Sequence, residues 1–457
     1  MPARRLVILF LALVLLPTAA LGAKGRQDRQ NFPVYPSIRA NVHFWEQVYG
    51  RYTTTQGILH DKNDLRIIYT VIDLVDWGTP GAARINRKLI KLARQRYKKI
   101  LTRLGTGKRP VTREEKHVAS LFPRRRHSVY LKARDNIRLQ IGQKDRFYQG
   151  VIRSGAYMRF IKNIFRSYGL PQELAYLPHV ESSFNPRAHS KAGAAGLWQF
   201  TRSTGRQYLT INDVIDERYD PLLASQAAAR LLKENHAFLG TWPLALTAYN
   251  YGRNGMLRAV REKKNYENIF RFHRKGHFKF ASRNFYPEFL AAMRVARKLE
   301  QDRSIILDRP RGTVTVRLRG YAPARQLRSY FGVSEEDFAL LNPALRRPVL
   351  EGRKHIPRGY LLRLPATRTI RQRLARMGSR FYRPRQIRDR IYIVRRGDTA
   401  GAIARRYHLT LTALRVANNL DRNGHIRIGQ RLKIPGPAGT ADGNIIVLRS
   451  RGKRRPG

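Results

Sequence analysis

Gly193-Ala194-Ala195-Gly196-Leu197-Trp198-Gln199-Phe200-Thr201 follows Glu181-Ser182-Ser183-Phe184-Asn185-Pro186 and precedes Ala248-Tyr249-Asn250-Tyr251-Gly252. Ahead of Glu181, Leu174, Leu177 and Val180 recur at helical spacing. Gly169-Leu170-Pro171 ends one helix and opens this one, with proline suited to a first turn. The order therefore puts one carboxylate at the end of an apolar helix, beside a glycine-rich turn with an amide, Gln199. A phenol, Tyr249, and a second amide, Asn250, arrive later. A glycosidic bond breaks when its oxygen receives a proton as oxocarbenium-like charge forms on the sugar. A carboxyl group stays protonated for that task when apolar surroundings penalise its charged form. Alone, a Glu at a helix end is an ordinary capping or solvated residue; the neighbouring motifs decide.

The chain has 457 residues, enough for roughly two to four domains. At 42% hydrophobic residues it can form sizeable cores. It has no cysteine, which excludes disulfides, thiolate metal sites and thiol catalysis. Arg4 and Arg5, the apolar run from Leu6 to Leu16 and Ala20-Leu21-Gly22 read as a signal peptide over 1–22. The expected location is therefore exported, in the periplasm or cell envelope; an uncleaved anchor is the alternative. Ala23 stands where a lipoprotein carries Cys, so no lipid anchor is expected. The formal net charge is +59, from 90 Lys+Arg against 31 Asp+Glu. Such an excess attracts polyanions in a salt-sensitive way. No nucleic-acid motif accompanies it, so no specific nucleic-acid partner is expected; loose association with anionic cell-envelope polymers is. The 12 histidines include no His-Glu-x-x-His pattern, and no nucleotide loop appears. The expectation is no metal and no cofactor.

Residues 40 to 150 read as mostly helical. Phe44, Trp45, Val48, Tyr49 and Tyr52 recur at helical spacing, as do Leu65, Ile68, Tyr69, Ile72 and Val75. Ile85, Leu89, Leu92, Tyr97, Ile100 and Leu104 continue the pattern as a core face. Near 310 the texture changes. Thr313 to Leu318 and Ile391 to Val394 alternate as strands do. Gly359 to Pro365 matches Gly429 to Pro435 in character, and Phe331 to Asn342 has the spacing of Tyr407 to Asn418. Each unit of this repeat reads strand, helix, helix, strand. Between them, 366–390 holds nine arginines against one acid, Asp389, and reads as a linker, in part helical.

Glu-Ser-x-Phe-x-Pro at 181, Ser190-x-x-Gly-Ala-x-Gly-Leu-Trp-Gln and Ala-Tyr-Asn-x-Gly at 248 resemble the catalytic domain of the lysozyme-like lytic transglycosylases, of the membrane-bound D type. The resemblance covers about 145–300 and implies cleavage of the MurNAc-GlcNAc β-1,4 bond of peptidoglycan to 1,6-anhydro-muramoyl products, without water. It makes Glu181 the single catalytic acid that then acts as base. Ser190, Gln199, Tyr249 and Asn250 are implied to bind the sugar, with no cofactor. Asp213, Asp216, Glu217 and Asp220 take structural roles by the same resemblance, and Trp198 and Phe200 read as core. Relatives often show Tyr-Val-Pro-Lys where this chain has Phe285-Tyr286-Pro287-Glu288, so the phenol is either displaced to Tyr286 or missing.

Residues 392–435 resemble a LysM module, which binds N-acetylglucosamine chains, through Tyr392-Ile393-Val394, Gly397-Asp398-Thr399, Tyr407, Asn418 and Ile428-Gly429-Gln430. In 313–365, Gly320-Tyr321-Ala322 replaces Gly-Asp-Thr, so this copy is either a sugar binder or a spacer. The expected fold is mainly α. A helical N-terminal region (23–143) and a lysozyme-like all-helical catalytic domain (144–302) are followed by small α+β (βααβ) LysM-like modules. These are a degenerate copy (313–365), an Arg-rich linker (366–390), a LysM module (391–436) and a basic tail (437–457). The expected partner is the peptidoglycan glycan strand. A hydrolytic muramidase of goose-lysozyme type and a non-catalytic wall-binding scaffold are the alternatives.

Overall fold

The computed structural model describes residues 31–122 and 126–434. The signal peptide expected at 1–22 and the tail expected at 437–457 lie outside the described residues. Helices dominate, joined by three small antiparallel sheets. The chain divides into two compact units.

The first unit takes in the residues up to 146, then Gly169–Tyr176 and Leu231–Lys298. Helix Arg39–Gly50 buries Phe44, Trp45, Val48 and Tyr49, as its spacing predicts. Its polar anchors meet the helix Phe280–Glu300: Asn41 Nδ2 donates to Asn284 Oδ1 at 2.7 Å, and the Tyr49 hydroxyl donates to Glu288 Oε1 at 2.7 Å.

Two expectations for this region need correction. Ile68–Asp73 is a strand, β2, and not part of a helix. With β1 (Gln56–Asp61) and β3 (Ile137–Ile141) it forms a sheet of order β2-β1-β3. The run Ile-Tyr-Thr-Val-Ile is dense in β-branched and aromatic residues, which lose least on a pleated surface. Five apolar positions at helical spacing did not outweigh that preference. Second, helix Ala82–Gly105 buries Tyr97, Leu101 and Leu104 but leaves Ile85, Leu89 and Leu92 exposed. Periodicity says which residues share a face; it does not supply a neighbour to cover it.

The second unit comprises Phe147–Tyr168, Leu177–Arg230 and the chain from Leu299 onward. Strands β4 (Thr313–Arg317) and β5 (Leu361–Pro365) pair in register, Thr313 opposite Pro365. Helices Ala324–Phe331 and Glu335–Leu341 lie between them in the chain. The same order, without the short helix Arg347–Leu350 that precedes β5, recurs in β6 (Arg390–Ile393), helices Ala400–Arg406 and Leu411–Asn418, and β7 (Arg431–Ile434). Each copy carries one amide clamp from the end of its second helix to its last strand. Asn342 donates to the Arg363 carbonyl at 2.8 Å and accepts from the Arg363 amide at 2.9 Å. Asn418 does the same with Lys433, at 2.8 and 2.6 Å.

The segment expected as a linker is packed. Helix Arg368–Ala375 inserts Ile370, and the short turn Ser379–Phe381 inserts Phe381, into the core of the first copy beside Phe331 and Leu364. Tyr330 and Arg373 exchange hydrogen bonds at 2.8 Å each. A run of arginines with apolar residues at helical intervals reads as solvated by composition, yet the few apolar side chains decide its position.

Candidate active site

Helix Leu177–Glu181 carries Glu181 at its last position. The amides of Ser182 and Phe184 both donate to the Pro178 carbonyl, at 3.0 and 3.2 Å, and stop the helix there. Ser183 and Phe184 then adopt positive φ, 49° and 54°, and Gln199 does so at 48°. Few non-glycine residues take that conformation. It costs on the order of 1–3 kcal/mol and persists where the surroundings impose it, often at functional sites.

The imposing groups are identifiable. Phe184 is fully buried, with its ring 4.5 Å from His179, and His179 lies 5.0 Å from Phe147. Arg153 Nη2 donates to the Ser183 carbonyl at 2.7 Å. The Ser182 hydroxyl donates to the Leu197 carbonyl at 2.8 Å. His179 is buried, and its pKa is pushed down to about 3, first by desolvation and then by the Arg153 charge. Its ring is therefore neutral near neutral pH. Glu181 is half-buried, flanked in the chain by buried Leu177 and Phe184.

The glycine-rich stretch folds as a tight tongue in which Ala195 bridges His189 and Phe200. Ser190 donates its amide to the Ala194 carbonyl at 2.8 Å and accepts the Ala194 amide on Oγ at 3.0 Å. Gln199 Nε2 donates to the Gly196 carbonyl at 2.9 Å. Gly196 has φ 78°, and a Cβ there would lie 1.8 Å from the Arg218 carbonyl oxygen, so only glycine fits. Trp198 is fully buried and donates to Ser225 Oγ at 2.8 Å; it is core and not a sugar platform.

Three of the four downstream acids, Asp216, Glu217 and Asp220, are engaged within the fold. Asp216 and Arg218 form a buried pair at 2.8 Å. Glu217 accepts the Thr210 amide at 2.7 Å. Asp220 caps the helix Pro221–Leu239 through the Leu222 and Leu223 amides and is paired with Arg363. Arg218 was not singled out in the sequence as a functional residue. Its Nη1 donates to the carbonyls of Gly193 (2.9 Å) and Phe200 (3.1 Å), holding both ends of the tongue. Its only signal is its place between the acids of Asp216-Glu217-Arg218-Tyr219-Asp220.

Glu181, Ser190 and Gln199 thus all lie in the second unit, where Ser182, next to Glu181, is bonded to the tongue at Leu197. Tyr249 and Asn250 belong to the first unit, on helix Trp242–Tyr251. There Tyr249 stacks on Phe285, with rings 6.4 Å apart and 10° from parallel. Asn250 is exposed and accepts from Ser282 Oγ at 2.8 Å. Tyr286 is fully buried, and its hydroxyl donates to the Pro33 carbonyl at 2.9 Å. The Tyr286 phenol is thus committed to the interior of the first unit.

Residues 158–270 match the family model of the transglycosylase SLT domain, and residues 392–435 match that of the LysM domain. This chain carries an SLT transglycosylase domain and a LysM domain. The SLT match contains Glu181, the tongue and the helix with Tyr249. The chain is 27% identical over 312 residues to the membrane-bound lytic murein transglycosylase D of Escherichia coli (strain K12), across 66% of this chain and 69% of that protein. It is 34% identical over 125 residues to a protein of Alteromonas sp. (strain M-1) described as a tributyltin chloride resistance protein, across 27% of this chain and 60% of that one. A solved lytic transglycosylase Slt from Pseudomonas aeruginosa overlaps 34% of this chain and 26% of its own at 21% identity, with a TM-score of 0.26. The SLT domain and the likeness to the murein transglycosylase of Escherichia coli mark an enzyme of the lytic transglycosylase class, and the described residues are mainly α with small α+β modules.

Proposed function

We propose that this enzyme cuts the β-1,4 bond between N-acetylmuramic acid and N-acetylglucosamine in peptidoglycan, with Glu181 as the only catalytic carboxylate. Glu181 gives its proton to the glycosidic oxygen as the C1–O bond breaks. The substrate's N-acetyl carbonyl steadies the cation at C1. The muramoyl C6 hydroxyl then attacks C1, and its proton passes to the Glu181 carboxylate. The product is a 1,6-anhydro sugar, and the enzyme ends in its starting protonation state.

The observation that carries this reading is the fate of three of the four acids that follow the tongue. A two-carboxylate glycosidase needs a second acid placed for water or for attack on the sugar. Asp216, Glu217 and Asp220 are each committed to an arginine, an amide or both. Ser190, Gln199, Tyr249 and Asn250 are assigned to bind the glycan. Gln199 has its Nε2 engaged, so it accepts from a sugar hydroxyl through Oε1. The LysM domain holds N-acetylglucosamine chains and raises the local concentration of enzyme on an insoluble substrate. The cell envelope is the place of action, and the charge of +59 adds loose attraction to anionic wall polymers. Among the described residues no helix is long and apolar enough to cross a membrane.

The test is incubation with purified sacculi, followed by mass spectrometry of the released muropeptides. Products lighter by one water and lacking a reducing end are expected. Reducing ends would make the enzyme a hydrolase.

A further inference from the structure

The first βααβ copy is welded to the loop that holds the catalytic tongue. Ile215 is buried in that copy's own core, beside Leu318, Leu327 and Phe338. The loop backbone pairs with the copy's chain: the Asp216 amide donates to the Ala344 carbonyl at 2.8 Å, and the Arg346 amide donates to the Val214 carbonyl at 3.0 Å. Arg346 also reaches the Asn212 carbonyl at 2.8 Å. From β5, Arg363 forms a two-point ion pair with buried Asp220, at 2.5 and 3.1 Å. Between these anchors sits Arg218, whose guanidinium holds the carbonyls of Gly193 and Phe200.

In the same copy, the loop after the first strand is bonded to the copy's own chain and to the segment after it. Where the LysM domain has Gly397-Asp398-Thr399, this copy has Gly320-Tyr321-Ala322. Ala322 exchanges backbone hydrogen bonds with Ile356 at 3.0 and 2.8 Å. Tyr321 exchanges them with Arg383 at 3.2 and 2.6 Å. The backbone of Tyr321 and Ala322 is thus paired with other parts of the chain.

We infer that residues 313–365 are a brace for the catalytic tongue, not a second sugar-binding module. Ile215 and Arg363 are positioning residues that act through Arg218 on the turn carrying Ser190 and Gln199. The inference rests on the assignment of that turn to the cutting site.

The test uses the full chain with Ile215→Ala, Arg363→Met and Arg363→Lys. Turnover is measured on a soluble, uncrosslinked glycan fragment, and retention is measured on sacculi. Ile215→Ala and Arg363→Met are expected to lower kcat on the soluble fragment at least fivefold, with retention on sacculi unchanged. Arg363→Lys is expected to recover part of the loss. Turnover within twofold of the parent would overturn the brace, whether retention falls, as for a sugar binder, or holds, as for a spacer. Amide hydrogen exchange at Ala195 and Gly196 supplies a readout independent of catalysis. Both variants should exchange there at least tenfold faster, and unchanged exchange would overturn the inference. A parent chain that releases nothing would sink the transglycosylase reading alone, because the exchange data still decide the brace. Should Arg363→Met fail to fold, Ile215→Ala carries both measurements.

Discussion

Ser182 Oγ lies 2.8 Å from the Leu197 carbonyl oxygen, so the residue after Glu181 is fastened to the turn that carries Gln199. Removing this bond in Ser182→Ala should cost about 1 kcal/mol of stability. It should also lower turnover several-fold, because the distance between carboxyl and amide is no longer fixed. Urea denaturation and sacculus digestion would check the two effects separately. Unchanged turnover would mean that Glu181 is held by other contacts.

Glu181→Gln removes the transferable proton while keeping shape. Cleavage should fall by about 100- to 10,000-fold, the usual contribution of a general acid. Retention on sacculi should be preserved, since the LysM domain is untouched. Cleavage at the parent rate would end the assignment of Glu181.

Gly193 and Gly196 both have positive φ, 81° and 78°, but their surroundings differ. A Cβ at Gly193 meets nothing within 4 Å, whereas at Gly196 it meets the Arg218 carbonyl. Gly193→Ala should therefore cost about 1 kcal/mol, the conformational penalty alone. Gly196→Ala must displace the Arg218 backbone and should lower the melting temperature well beyond that. Equal melting temperatures would contradict the close approach.

Two buried groups give opposite pH limbs. The His179 pKa falls from 6.5 to about 3, so below about pH 6.5 the unfolded chain binds the extra proton and stability declines toward pH 3. Burial raises the Glu288 pKa from 4.5 to about 7, against the lowering effect of the Tyr49 hydroxyl. Its stabilisation is full below about pH 4.5 and is lost as pH rises through about 7. Melting curves across buffers should show a flatter acid limb in His179→Gln and a gain above pH 7 in Glu288→Gln. Parallel curves for parent and variants would contradict these shifts.

The glycine-rich turn was legible because its determinants are local. Ser182, Ser190, Gly196 and Gln199 form bonds to near neighbours in the chain, which leave a dense motif. The repeat was legible for the same reason: the spacing of Phe331 to Asn342 and Tyr407 to Asn418 is the spacing of two amide clamps. The strand at Ile68–Asp73 was hidden because a short apolar run fits both periods, and only its β-branched content separates them. The brace left no trace because Arg363 and Asp220 are 143 positions apart and neither residue is unusual where it stands. The packing of 366–390 was masked by its arginines. The burial of the Tyr286 phenol was not readable at Phe285-Tyr286, because the bond that holds it reaches back to Pro33.

The paired clamps at Asn342 and Asn418 separate shape from recognition. Each joins the end of a helix to the last strand of its copy, away from the loop that follows the first strand. A copy built this way keeps its fold when that loop is given over to another contact, as Tyr321 and Ala322 are.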